Sequence, residues 1–149
     1  MLVLATSGAC DRTRAPTLPP AEVYETPVDV EGEWRGEVAG LEGTLDLTPL
    51  GRDRYRGVFE ARQRAMIYVL NVVHVRAPAK DGVPTPSNLM RFDWQDGRGD
   101  RGAGWLIVNE DGSMITGSFG RGDGNTDGGG QWTMVREPTE TEPEPDAGS

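Results

Sequence analysis

The chain has 149 residues but only one cysteine, one histidine and one lysine. A single cysteine excludes an intramolecular disulfide bond and a cysteine-based zinc site. Nucleophilic catalysis usually needs a base beside a serine, threonine or cysteine, and the one histidine, His74, lies in an apolar segment where we expect a structural role. The sequence also lacks a Gly-x-Ser-x-Gly elbow, a phosphate-binding loop and a dinucleotide-binding fingerprint. We therefore expect no catalytic residues and no cofactor.

Basic residues are too few and too scattered for a nucleic-acid-binding protein. Lysine and arginine number 15 against 24 aspartates and glutamates, which gives a net charge of −9. Phosphate binding requires clustered basic residues, so we expect no nucleic-acid partner. Segment 11–31 carries −3, segment 137–149 carries −5 and segment 32–136 only −1. The acidity therefore describes the ends of the chain and not a binding site.

The same two end segments hold seven of the 11 prolines and few large apolar residues. Such segments cannot bury enough surface to offset the entropy lost when they become ordered. We expect a Pro-rich flexible spacer at 11–31 and an acidic, disordered tail at 137–149, on either side of one folded domain at 32–136.

The first ten residues, MLVLATSGAC, form an apolar stretch that ends in small residues and the single cysteine. This segment resembles the end of a bacterial lipoprotein signal peptide, truncated at its start, with Gly8 and Ala9 before the cysteine that becomes lipidated. The resemblance implies an acyl chain on Cys10 that anchors the protein to a membrane of the bacterial cell envelope, facing the periplasm or the exterior. The alternative is an ordinary N-terminus with an incidental cysteine.

Glycine is abundant, at 21 residues, and Gly, Asp and Asn clusters separate short segments rich in β-branched and aromatic residues. These segments recur at intervals of roughly 10–14 residues, which is typical of antiparallel strands. An even number of sequential hairpins can close on itself. The sequence therefore predicts an all-β, antiparallel, eight-stranded up-and-down β-barrel, with strands at Glu33–Val38, Thr44–Leu50, Tyr55–Ala61, Met66–Arg76, Leu89–Trp94, Gly104–Asn109, Met114–Gly120 and Gln131–Arg136.

Three features of this pattern carry separate expectations. Met66–Arg76 is the most apolar segment, and we expect both of its faces to be buried. A Pro-rich loop is expected at Pro78–Ser87. Residues 60–66 lack Gly and Pro, so they could form a helical turn instead of a hairpin.

Gly32, Glu33 and Trp34 open the first predicted strand, and Arg136 ends the last. This pattern resembles that of the calycin superfamily, which includes the lipocalins, avidins and fatty-acid-binding proteins. The resemblance implies a calycin-like barrel in which the indole of Trp34 packs against the Arg136 cation and closes one end. An arginine above an indole gains about 0.5–2 kcal/mol from the cation–π interaction.

Six aromatic residues fall on the predicted inward faces of their strands. The interior of an eight-stranded barrel is just wide enough to be filled by side chains or to hold one small ligand. The rings could therefore be core packing or the walls of an apolar pocket. These candidate ligand-binding residues are Trp34, Phe92, Trp94, Trp105, Phe119 and Trp132.

Asp123, Asn125 and Asp127 have the spacing of the first ligands of a calcium-binding loop. The position that supplies a bidentate glutamate in such loops is occupied by Met134. The sequence therefore favours a hairpin loop at this point and predicts no metal site.

Three functions are compatible with these observations. The first is a non-catalytic envelope lipoprotein whose small barrel binds an apolar small molecule. The second is a protein-interaction module, such as a periplasmic protease inhibitor, that contacts its partner through residues 78–88 and 11–31. The third is an isomerase or cyclase with a barrel pocket, in which Asp93, Tyr68 or His74 acts as acid or base.

Overall fold

A computed structural model describes residues 18–63, 66–122 and 124–136. Each strand pairs antiparallel with the next along the chain, and the first pairs with the last to close a barrel. This confirms the predicted all-β, eight-stranded up-and-down fold. The strands are β1 (Gly32–Val38), β2 (Leu41–Gly51), β3 (Arg54–Ala61), β4 (Met66–Pro78), β5 (Pro84–Asp96), β6 (Arg101–Val108), β7 (Met114–Arg121) and β8 (Gly130–Arg136).

Within these ranges, no helix is long and apolar enough to cross a membrane. Cys10 and the predicted tail at 137–149 lie outside the described residues.

Half of the predicted loop at Pro78–Ser87 is strand. β4 continues to Pro78 and β5 begins at Pro84, and these two prolines face each other at the end of the ladder. A proline lacks the backbone N–H that an interior ladder position needs, but the end of a strand tolerates it. The loop is reduced to residues 79–83, where the Ala79 N–H donates to the Val83 carbonyl oxygen at 3.0 Å.

The described part of the connection between β3 and β4, Arg62 and Gln63, is a turn that follows Ala61. β3 and β4 pair in register up to Ala61 and Met66, which leaves only four residues between them. Within the segment 60–66, residues 60, 61 and 66 therefore belong to the ladder.

The expectation that β4 is buried on both faces is wrong. Its inward residues Leu70 and Val72 are fully buried, whereas Ile67 on the outer face is 50% exposed. A barrel of this size is a single layer, and the described residues place no second layer over the outside of β4. The outer valines of the strand are consequently half-buried.

Inward residues of all eight strands fill much of the barrel, and close contacts between rings and glycines make this possible. A Cβ atom on Gly104 would lie 2.3 Å from Cζ of Phe92, and one on Gly43 would lie 2.7 Å from Cζ of Phe59. Gly104 is the direct partner of Phe92 across the β5–β6 ladder. Each of these rings therefore occupies the space that a side chain on the glycine would need.

Residues 18–31 were expected to belong to a flexible spacer, but the structure seats them against the barrel, and we call them the strap. Val30 is fully buried in the core. The Tyr24 hydroxyl donates to the Val108 carbonyl oxygen at 2.7 Å. Glu22 N–H donates to Oδ1 of Asn88, whose own N–H donates back to the Glu22 carbonyl oxygen, both at 2.8 Å. The strap stays in place because its few apolar side chains have a barrel end to enter.

Candidate ligand-binding site

The strap and a cation–π contact close one end of the barrel. Arg136 Cζ lies 4.3 Å from the centroid of the Trp34 ring, so the predicted contact between these residues is present. The indole Nε1 of Trp34 donates to the Val30 carbonyl oxygen at 3.0 Å. Arg136 also donates to the backbone carbonyl oxygens of Glu31 and Asp29 at 3.2 and 2.6 Å. Trp34 is thereby fully buried, and it is not available to a ligand.

A pocket of about 140 Å³ enters the barrel at the opposite end. This end carries the β1–β2, β3–β4 and β5–β6 turns and the β7–β8 loop, and the strap does not reach it. The walls consist of five aromatic rings, five small or aliphatic residues and one arginine. They are Phe59, Tyr68, Trp94, Phe119 and Trp132, then Val38, Ala39, Leu41, Leu70 and Gly129, and finally Arg121.

The aromatic walls hold one another in edge-to-face contacts. The centroids of Trp94 and Phe119 are 5.9 Å apart at an interplanar angle of 86°, and those of Tyr68 and Trp94 are 5.7 Å apart at 71°. Phe59 meets Trp132 in the same manner, at 5.5 Å and 68°. Such contacts are favourable beyond the area that they bury. The Trp94 Nε1–H also donates to the Gly120 carbonyl oxygen at 3.0 Å, which fixes that ring. The pocket is therefore preformed.

Three polar groups belong to residues of the lining. Arg121 Nη1 donates to Oδ2 of Asp100 at 3.1 Å, and both side chains are more than half exposed. The Tyr68 hydroxyl lies 3.7 Å from Sδ of Met66, which is a weak acceptor. The buried indole N–H of Trp132 has no hydrogen-bond acceptor among the described residues. All three groups can donate a hydrogen bond.

The structure brings three of the six predicted aromatic residues, Trp94, Phe119 and Trp132, into the pocket. Phe92 lies behind the wall, with its ring 5.6 Å from that of Trp132, and does not line the pocket. Trp34 lies at the closed end.

The predicted inward position of Trp105 is wrong, because the inward positions of β6 are Gly102, Gly104, Leu106 and Val108. Trp105 is half-buried on the outer face, opposite Arg91. A side chain at position 104 would collide with the ring of Phe92, so the residue that faces this ring must be glycine. Gly104 therefore points inward and Trp105 outward.

The predicted ligand-binding residues did not include Phe59, Tyr68 or Arg121, although Tyr68 was predicted as a candidate acid or base of a barrel pocket. Phe59 shares the alternating inward face of β3 with Ala61, so periodicity could have found it. Arg121 lies two residues beyond Phe119 on the same face of β7. Its place in the wall depends on closure of the barrel, which the local pattern does not show.

The residues with the spacing of half a calcium loop lie in the connection between β7 and β8. The side-chain amide of Asn125 donates to the Arg121 carbonyl oxygen at 3.0 Å, so it closes the loop after β7. Asp123 lies outside the described residues. Among the residues that are described, no three His, Cys, Asp or Glu side chains could together hold a metal ion.

The three acid or base candidates lie in different places. Tyr68 lines the pocket, and Asp93 is exposed on the outer face of β5. His74 is buried further along β4, where its Nε2 donates to the Ser87 carbonyl oxygen at 2.6 Å. These residues do not form a common catalytic site.

Comparisons with models of protein families, with curated proteins and with solved structures found no match. The pocket itself is therefore the basis for assigning a function.

Proposed function

We propose that this protein is a non-catalytic barrel that binds a compact, apolar small molecule in the pocket at its open end. The observation that carries the proposal is a ring of five aromatic side chains around a cavity of about 140 Å³, at the end that the strap leaves open. An engineered apolar cavity of about 150 Å³ holds a benzene molecule. The pocket thus matches a ligand of one aromatic ring or similar bulk.

The size of the pocket narrows the ligand class. Sites for drug-sized ligands begin at roughly 300 Å³. An extended acyl chain would need the space that Trp34, Leu45 and Leu70 fill, and these side chains are fully buried. The interior of the barrel is core, and binding is confined to its mouth.

Intrinsic fluorescence tests the proposal, because Trp94 and Trp132 lie in the pocket wall. Titration with toluene is expected to change the emission saturably. Leu41→Phe places a larger side chain in the lining and should abolish the change without adding a tryptophan. Leu50→Phe is the matched control, because Leu50 is 60% exposed and does not line the pocket. Absence of a saturable change in folded protein, or its survival in Leu41→Phe, would contradict the proposal.

The proposal includes a lipid anchor at Cys10, which would hold the barrel at a membrane of the cell envelope. The support is the Gly8-Ala9-Cys10 sequence followed by a proline-containing segment before the strap. Metabolic labelling with a fatty-acid analogue in a bacterial host tests it. The wild type is expected to be labelled and to fractionate with membranes. Cys10→Ser is expected to be unlabelled and absent from the membrane fraction. An unlabelled wild type, or equal labelling of the variant, would refute the anchor.

The described structure gives the other two functions less support, although Tyr68, one acid or base candidate of the third function, lines the pocket. Residues 84–88 of the predicted contact loop belong to β5, and the strap is seated against the barrel. The acid and base candidates are dispersed, as described above. Ligand binding at the open end therefore remains the function that we propose.

A further inference from the structure

We propose that the occupant of the open-end pocket is a compact aromatic carboxylate, with its ring among the aromatic walls and its carboxylate on Arg121. This inference rests on the proposed function and adds the charge of the ligand. The lining of the pocket is mostly apolar and carries a single cation, Arg121.

Arg121 is the only charged residue among the described residues that line the pocket. It stands two residues after Phe119 on β7, so strand alternation places both on the same face. Its side chain is 66% exposed, which locates the guanidinium at the mouth and not in the interior. A ligand ring that contacts Phe119 would therefore extend its substituent towards this cation.

The guanidinium has donors to spare. Arginine carries five N–H groups in a planar fork that matches a carboxylate, and Nη1 is the atom that pairs with Asp100. The Asp100 side chain is 61% exposed. Exposed ion pairs contribute little because water and salt screen them, so a ligand carboxylate can share the fork or displace Asp100.

The other two polar groups of the lining residues are hydrogen-bond donors. Among the described residues, the Tyr68 hydroxyl bonds only to the distant Met66 sulfur, and the buried Trp132 N–H has no acceptor. The described lining contains no carboxylate that could receive an ammonium group. A cationic ligand of the same size would thus lack a partner and face Arg121.

Three probes of nearly equal size separate the charge of the ligand from its bulk: benzoate, toluene and benzylamine. Fluorescence or calorimetric titrations of the full chain at neutral pH are expected to rank benzoate first and benzylamine last. Arg121→Gln is expected to weaken benzoate binding about two- to fivefold, as the loss of an exposed charged pair does, and to leave toluene binding unchanged. Asp100→Asn removes the competing carboxylate and should strengthen benzoate binding.

Arg98→Gln is the matched control. Arg98 lies in the exposed β5–β6 turn near Asp100 but does not line the pocket, so its loss changes the net charge by the same amount. Thermal melting of every variant verifies that the barrel is folded. Equal binding of toluene and benzoate, with no effect of Arg121→Gln, would overturn the carboxylate inference and leave the proposed function standing. Failure of all three probes to bind would remove both, and an equal effect of Arg98→Gln would show a general charge effect and overturn the role of Arg121.

Discussion

The guanidinium of Arg136 lies 4.3 Å above the ring of Trp34, and the same two residues are direct partners in the ladder that joins the last strand to the first. The contact therefore reinforces the seam of the barrel. Because Arg136 also donates to the Asp29 and Glu31 carbonyl oxygens, it ties the strap to this seam. The closed end thus depends on one side chain that joins three parts of the chain.

Replacement of Arg136 by methionine is expected to lower the free energy of unfolding by about 2 kcal/mol, since it removes the cation–π contact and two charged hydrogen bonds. Arg136→Lys keeps the charge but not the planar fork, so its loss should be smaller. Urea unfolding measures both. If Arg136→Met unfolds at the same urea concentration as the wild type, the contact does not stabilise the fold.

The strap is expected to contribute to stability through Val30, which is fully buried. Val30→Ala should lower the free energy of unfolding by about 1–3 kcal/mol, because it leaves a cavity beside Trp34. Thr26→Ala, at an exposed position of the strap, is the control and should stay within about 0.5 kcal/mol of the wild type. Equal stability of the two variants would mean that burial of Val30 at the barrel end does not stabilise the fold.

Gly104→Ala is expected to destabilise the barrel by about 1–3 kcal/mol or more, because the new Cβ would lie 2.3 Å from Phe92 and 2.4 Å from the Ser118 carbonyl oxygen. Gly97→Ala is the matched control, since a Cβ there meets nothing within 4 Å. Thermal melting compares the two. If Gly104→Ala and Gly97→Ala have the same melting temperature, the packing of Phe92 against the glycine is not required for stability.

Asp53 is expected to make stability depend on acidity. Arg76 Nε donates to Asp53 Oδ2 at 2.7 Å, and this hydrogen bond, opposed by desolvation, holds the pKa of Asp53 below its ordinary value of 3.8. A lowered folded-state pKa stabilises the protein above the unfolded pKa, and the contribution is lost as pH falls through the folded value. Asp53→Asn should therefore be less stable than the wild type near neutral pH, with the difference vanishing in strong acid.

Asparagine is a suitable replacement for Asp53, because it tolerates the φ of 62° that the backbone has at this position. Asp46→Asn, at an exposed position of β2, is the control for the loss of one carboxylate. Urea unfolding at several pH values measures the differences. A gap between Asp53→Asn and the wild type that stays constant down to strong acid would contradict the prediction.

Strand periodicity in the sequence predicted some of the pocket residues but not all of them. Trp94, Phe119 and Trp132 were predicted because each lies in a clear alternation of its own strand. Tyr68 lies beside Trp94 across the β4–β5 ladder, and that pairing is not visible in either strand alone. Arg121 ends the inward face of β7, where alternation does not distinguish a pocket mouth from solvent.

The sequence by itself determined the eight strands, their order and which residues share a face, because alternation and turn residues are local properties of the chain. Only the tertiary structure decided which face of β6 points inward. Gly104-Trp105-Leu106-Ile107 is apolar on both faces, and the ring of Phe92 on the neighbouring strand settles the choice in favour of Gly104. The strap, too, is ordered only because the barrel end receives Val30. These outcomes depend on space between strands that are distant in sequence, and that space exists only once the barrel has closed.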